Sequence, residues 1–547
     1  MTPANFMKKI PFLLIFAAAA VSAQHFTKID TLKGSDTQFR NFWDVKKYEL
    51  SVEANFAQRS VSGSNIIYFE ITRDITNPVF QIDLQQPMTY SMADSKNITH
   101  KRDGDFIFIT ANKKYKKGEK GSFTIQYSGQ PKIAKNAPWD GGWVFAEDEN
   151  GNPFVSVAQE GDGVSLWLPS KDIWNDEPDE GIRMSITTPS ELTGVGNGRL
   201  ISKNSKNGKT TYTWEVKNSI NPYSIVPNIG KYLNFKDTFN GEKGTLDLDY
   251  WVLNYNLDKA KKQFTQVKPM LSAMEYWFGP YPFYEDSYKV VETPYLGMEH
   301  QSNIAYGNGY RNGYLGRDLS FTGKGLSWDY ILVHESGHEW FANNITAKDQ
   351  ADLWIHEAFT TYSETLFVEK FMDRKSADEY VIGQRLNISN DGNITGIYGV
   401  RNEGSGDMYY KGANMLHTIR AAINDDVKFR EILRGMNRDF KQQTVSAEQI
   451  EKYISEKSGV DFSTVFEQYL RTTDIPIVEY SQTGKKLTLR FQRVVPGFKM
   501  PLIINGNQKI MLSDSWQQVT LDSAEKVQFD PNFFVRYRAK KENSALN

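Results

Sequence analysis

The hydrophobic period of this chain changes twice, and each change limits the kind of fold its segment can adopt. From about Tyr48 to Tyr232 the period is two. Tyr48, Leu50, Val52 and Ala54 alternate with polar neighbours, as do Ile67, Phe69 and Ile71, and then Phe123, Ile125 and Tyr127. Turn clusters such as Asp103-Gly104-Asp105 and Lys206-Asn207-Gly208 separate these runs. Short alternating strands broken by such turns predict an antiparallel β domain. The lysine-rich stretch Lys113–Lys120 between two strands reads as a solvated hairpin turn. Near Leu257 apolar residues begin to recur every three or four positions. Leu257–Phe278, Gly325–Asn343, Leu353–Phe371 and Ala413–Ile423 read as helices, and the Gly-, Asn- and Tyr-rich Tyr306–Gly323 as an ordered loop. After about Pro476 the period of two returns, in Lys486–Phe491 and Lys509–Leu512. The expectation is a multidomain α+β chain: an N-terminal antiparallel β domain over 24–232, a mainly helical domain over 233–474 and a small C-terminal β domain over 475–547.

Residues 1–23 stand apart from that plan. Lys8 and Lys9, the apolar run Phe12–Val21 and then Val21-Ser22-Ala23 form the three-part pattern of a cleaved secretory signal. The apolar run is too short for a membrane span, which needs ~20 residues. The expected product is secreted or periplasmic, without stable membrane insertion. The 547-residue chain has no cysteine and a formal net charge of −2. Disulfides, thiol nucleophiles and Cys-type metal sites are therefore excluded, and a general nucleic-acid binder, with its usual basic excess, is disfavoured. Any metal must be held by His, Asp or Glu.

Histidine is scarce, with seven in the chain, and four of them fall between residues 300 and 356. Two lie in His334-Glu335-Ser336-Gly337-His338 within a helical pattern. Positions i and i+4 share a helix face, so both imidazoles reach one ion while the intervening Glu335 is placed to take a proton from water. On the next predicted helix, Glu357 follows His338 by nineteen positions. If the two helices pack antiparallel, His334, His338 and Glu357 form a His₂Glu set, the ligand pattern of one catalytic Zn²⁺ with an open position. His356, beside Glu357, points elsewhere by helical geometry and reads as structural or supporting. Such a centre hydrolyses amides, but the ligands alone do not separate an endopeptidase from an exopeptidase. An aminopeptidase must also pair a substrate ammonium with carboxylate, and Glu299, in Gly297-Met298-Glu299-His300, is a candidate.

Taken in order, these features resemble the M1 family of zinc aminopeptidases, the gluzincins. Gly297-Met298-Glu299 is similar to the middle of the family's G-x-M-E-N exopeptidase motif, and His334 to Glu357 follows H-E-x-x-H-x18-E. Trp354-Ile355-His356-Glu357-Ala358-Phe359 resembles the family's stretch around its third ligand, and Tyr409-Tyr410-Lys411-Gly412 resembles Y-x-K-G. Phe278-Gly279-x-Tyr281-Pro282-Phe283 resembles a stretch just before the exopeptidase motif. Ala158-Gln159-Glu160, Leu168-Pro169 and Asp176-Glu177-Pro178 resemble upstream family regions. The resemblance implies a thermolysin-like catalytic domain, Glu335 as general base and Tyr409 as oxyanion donor. It also implies that Gly297, Met298, Glu299 and Glu160 bind peptide substrates with a free N-terminus. Leu296 and His300 depart from the exopeptidase motif, Ala158 departs from the upstream one, and a large C-terminal capping domain is expected to be absent. The leading expectation is a secreted zinc aminopeptidase. The alternatives are a gluzincin endopeptidase and a catalytically silent peptide-binding module.

Overall fold

The computed structural model describes residues 25–93 and 98–540; the leader expected at 1–23 lies outside them. The period-two segment forms a seven-stranded sheet. In its long central strand, Trp43–Asn55, Tyr48, Leu50, Val52 and Ala54 are buried while the residues between them are not, as alternation requires. This strand pairs antiparallel with Ser60–Ile71 but parallel with Ile182–Pro189. The sheet is therefore mixed rather than purely antiparallel, since a period of two records which face is buried and not strand direction. The Lys113–Lys120 stretch contains a two-residue strand, Lys114–Tyr115, paired with Ile75–Thr76. A second, four-stranded sheet includes Pro153–Ala158, whose end delivers Glu160 toward the middle of the molecule.

The next unit opens with a five-stranded sheet beginning at Tyr232, and its far edge is the short strand Gly297–Met298. Helices follow, and two depart from the expected bounds. Leu257–Phe278 is interrupted by a 3₁₀ turn at Phe264–Gln266 and restarts at Val267. Pro269 has no N–H to give to a preceding turn, so it is tolerated only in the first turn of a new helix. Within Gly325–Asn343 the α-helix covers only Tyr330–Gly337. Trp328 is extended and Asp329 caps the helix, accepting from Leu332 N at 3.2 Å. Beyond His338 the backbone widens to a π turn and breaks at Phe341 and Ala342, where φ reaches 135° at Ala342. Trp354–Phe371 and Tyr410–Ile423 are continuous helices, and Arg374–Gly383, Asp426–Asp439, Ala447–Ser458 and Ser463–Arg471 add to them. The C-terminal strands send Leu487, Leu489, Phe491 and Leu502 into the same continuous apolar core as the helices. The N-terminal β core is largely its own. Among the described residues no helix is long and apolar enough to cross a membrane.

Candidate functional site

Between the two cores lies a cavity of about 770 Å³, and every expected ligand, catalytic and substrate-binding residue lines it: Glu160, Gly297, Met298, Glu299, His334, Glu335, His338, Glu357 and Tyr409. The Tyr330–Gly337 helix, with His338 as its C-cap residue, turns both imidazoles toward the Trp354–Phe371 helix. Nε2 of His334 and Nε2 of His338 each lie 3.6 Å from Glu357 Oε2, and the three ligand atoms are within 4.8 Å of one another. A tetrahedral ion with bonds of ~2.0–2.2 Å requires ligand-to-ligand edges of roughly 3.3–3.6 Å, so the two His-to-Glu separations suit a single small cation. Glu357 Oε2 is buried with no hydrogen-bond partner, an orphan that a cation would satisfy.

The outward ring nitrogens are held as well. His334 Nδ1 is 2.8 Å from Glu364 Oε1, and the other Glu364 oxygen accepts from Tyr380 Oη at 2.7 Å and Gln384 Nε2 at 3.0 Å. His338 Nδ1 is 3.1 Å from the Phe341 carbonyl. The helix break at Phe341–Ala342 leaves that carbonyl in reach of the ring instead of committing it to a helical ladder. Both contacts fix the tautomer that leaves Nε2 free for metal. His356 is turned away, accepting from Ala347 N at 2.9 Å and stacking on Trp174.

Glu335 faces the cavity against Gly297. A Cβ at residue 297 would stand 2.7 Å from Glu335 Oε1, so glycine there is required by close approach. Burial, countered by His334 and reinforced by the carboxylates of Glu299 and Glu357, pushes the Glu335 carboxyl up to about 8. Tyr409 precedes the Tyr410–Ile423 helix. Gly412 lets this helix approach the Trp354–Phe371 helix at Ala358, where a Cβ on residue 412 would meet Ala358 Cβ at 2.6 Å. Lys411 is buried and anchored to the Thr472 carbonyl at 2.8 Å. Burial and the charge of Glu357 hold the Tyr409 phenol well above its ordinary range, so it remains a neutral donor.

The cavity beside the metal ligands is acidic, and ligand atoms of Glu299, Glu335 and His338 lie within 4.8 Å of one another. Glu299 follows the Gly297–Met298 edge strand; its Oε1 accepts from Tyr223 Oη at 3.0 Å, and Asn343 Nδ2 donates to its carbonyl at 2.8 Å. Glu160 arrives from the β domain, its carbonyl accepting from Gln350 Nε2 at 3.2 Å and its Oε1 left without a partner. Burial and then the charges of Glu299, Glu357 and Glu403 hold the Glu160 carboxyl well above the usual range. Glu403 lines the cavity too, with no hydrogen bond or ion pair among the described residues. Lys132 is the lining lysine, and Asp162 pairs with it at 2.8 Å. Met298 packs beside Ala158 and Tyr295. His300 is fully buried with both ring nitrogens unpartnered, and burial lowers it to about 4. Four residues escaped the sequence reading: Glu364, Tyr223, Asn343 and Glu403.

Residues 255–469 match the peptidase family M1 domain. Among curated proteins, the probable aminopeptidase 1 of Sulfurisphaera tokodaii is 20% identical over 354 residues, 61% of this chain and 44% of that protein. The leucyl aminopeptidase of Saccharolobus solfataricus is 21% identical over 352 residues, 60% of this chain and 43% of that one. The chain thus matches somewhat under half the length of these two relatives. Among solved structures, an M1 zinc metallopeptidase mutant of Deinococcus radiodurans bound to a Tyr-Ser-Ala substrate superposes with a TM-score of 0.69. It is 18% identical, and the match covers 81% of this chain and 98% of that one. That likeness establishes the multidomain fold.

Proposed function

Because residues 255–469 form a peptidase family M1 domain, we propose that this protein is a zinc-dependent aminopeptidase that removes residues from the free N-terminus of peptides. The observation that carries the reading is the meeting of two unlike groups in one cavity: a His₂Glu cluster with the spacing of a metal ion, and a pair of carboxylates, Glu160 and Glu299, with no lysine or arginine paired to them among the described residues. A buried carboxylate pair calls for a cation, and a peptide's terminal ammonium supplies one.

His334, His338 and Glu357 would hold the zinc. When bound, zinc acidifies water and polarises the scissile carbonyl. Burial pushes the Glu335 carboxyl up to about 8, and a cation held beside it would favour the carboxylate, which would accept the proton of the attacking water. It then returns the proton to the leaving amine. The Tyr409 hydroxyl donates to the negative charge that develops on the carbonyl oxygen. Glu299, steadied by Tyr223, and Glu160 grip the ammonium and so set how far the chain end enters. The reading includes export of the chain, supported by the signal-like pattern of residues 1–23.

The test is a panel of aminoacyl chromogenic substrates, free and N-acetylated, assayed with zinc and with chelator. Free substrates are expected to turn over only in the metal-loaded protein, and acetylated ones poorly. Equal cleavage of both forms, or cutting of blocked peptides at internal bonds, would instead favour an endopeptidase.

A further inference from the structure

We propose that a second cavity, between the C-terminal ends of the Val267–Phe278 and Asp426–Asp439 helices, is a binding site for a small organic monoanion: a carboxylate carried on an aromatic or branched apolar group. The cavity measures about 300 Å³, the lower end of small-molecule sites, and shares no lining residue with the catalytic one. Its floor is apolar, made by Phe278, Gly279, Pro280 and Pro282, with the buried amides of Asn344 and Asn437 at the side. Lys243, Arg434, Arg438 and Lys441 surround it.

The four cations are not equivalent. Arg434 is committed: its guanidinium pairs with both oxygens of Glu242, at 2.9 and 2.7 Å, and donates to the Glu275 carbonyl at 2.6 Å. Arg438 is committed to Asp439, at 2.7 and 3.1 Å. Neither ammonium, of Lys243 or of Lys441, makes a hydrogen bond or ion pair among the described residues. Of the nearby acids, Glu285 makes no side-chain hydrogen bond or ion pair among the described residues and acts on Lys243 only through its charge, while the other three are engaged. Glu242 and Asp439 hold the arginines, and Glu275 accepts from Tyr281 N, Tyr284 Oη and Glu242 N. Burial, and then the charge of Lys441, lower the Lys243 ammonium from its usual range, which Glu275 and Glu285 only partly offset. Capping of helix ends does not account for the pair, because Arg434 takes the exposed carbonyls of Glu275 and Tyr276 while neither lysine ammonium reaches one.

Lys243 and Lys441 are both exposed at the cavity's rim, and their mutual repulsion, only partly offset by Glu275 and Glu285, is relieved by an anion placed between them over the apolar floor. An inorganic anion satisfies the rim but leaves the floor wet. A free amino acid brings its own ammonium against the lysines. A carboxylate with an apolar body and no adjacent amine meets both demands, whether it is a free acid or the C-terminal residue of a peptide.

Calorimetric titration of the metal-loaded protein with phenylacetate, 2-phenylethanol, acetate, phenylalanine and N-acetylphenylalanine tests this. Phenylacetate is expected to bind roughly tenfold or more tightly than the uncharged alcohol, with the preference shrinking severalfold in high salt. Acetate and phenylalanine are expected to bind more weakly than phenylacetate. N-acetylphenylalanine, which imitates a peptide end, is expected to bind within the same class, and its rank against phenylacetate tells a peptide end from a free acid. The variant Lys243→Gln/Lys441→Gln is expected to lose this binding while keeping the wild-type melting temperature and peptide turnover. Equal binding of the alcohol, no binding of either apolar acid, or undiminished binding in the double variant would overturn the proposal. The last result would assign the carboxylate to the catalytic cavity.

Discussion

The proposed metal site and the proposed ammonium site adjoin in one cavity, yet they are built in opposite ways. The metal site is local: His334, Glu335, His338 and Glu357 lie on two successive helices, and their supports, Phe341 and Glu364, lie on or beside the same helices. The proposed ammonium site is assembled from residues distant in sequence. Glu299 sits on a sheet edge, its Tyr223 partner is 76 positions away, and Glu160 comes from the other core. A site made within one segment depends on side-chain spacing. A site made between segments depends on how the domains pack. The contrast predicts that damage at the metal site removes chemistry outright, whereas damage at the ammonium site changes which substrates are accepted.

The largest expected effect lies at the metal site. Glu335→Gln should lower kcat by roughly 10²–10⁴ while metal content, read by atomic emission, stays at one zinc per chain. Retained turnover in a metal-replete variant would break the mechanism. Next, Glu364→Ala releases His334 Nδ1 from its orienting partner. Zinc affinity, measured by chelator competition, should fall ~10–100-fold, and unchanged affinity would mean that the ring is fixed by packing alone. At the ammonium site, Tyr223→Phe removes one hydrogen bond to a carboxylate, worth about 1.5–3 kcal/mol. KM for free peptides should rise with zinc affinity unaltered; a loss of zinc instead would dissolve the distinction between the two sites.

The smallest effect concerns the seam between the cores, where burial, only partly offset by hydrogen bonds to Thr346, Asn221 and Ser219, raises the Glu177 carboxyl to about 7. The folded chain holds a proton there that the unfolded chain releases near pH 4.5. This contribution to stability is therefore present at low pH and lost as pH rises through 4.5 to about 7. Glu177→Gln should remove the loss, gaining a few degrees in melting temperature at pH 8 and little at pH 5. An equal shift at both pH values would show that Glu177 does not titrate in this window.

How much of this was legible in the sequence follows the same division. The ligand set could be read because i, i+4 spacing places both imidazoles on one face, and Glu364 could have been found as the acid seven positions, two turns, beyond Glu357. Tyr223 and Asn343 carry no such signal, since only tertiary packing brings a tyrosine 76 positions away and an asparagine 44 positions away onto Glu299. The strands of the first β unit were legible from alternation, but the parallel pairing of Trp43–Asn55 with Ile182–Pro189 was not, because alternation is the same in either direction. The helix end at Phe341–Ala342 was missed because Trp340-Phe341-Ala342 suits a helix locally. The break there leaves the Phe341 carbonyl 3.1 Å from His338 Nδ1.

The central claim is that one cavity joins a metal site that cuts to an acidic site that reads a free N-terminus. The most direct measurement is the ratio of kcat/KM for free over N-acetylated substrate, compared between wild type and Glu299→Gln at equal zinc content. The account predicts a ratio of roughly 100 or more in wild type, falling at least tenfold in the variant through loss on the free substrate, as expected when an ammonium loses a buried charge partner. A ratio near one in wild type, or a large ratio untouched by Glu299→Gln, would contradict it.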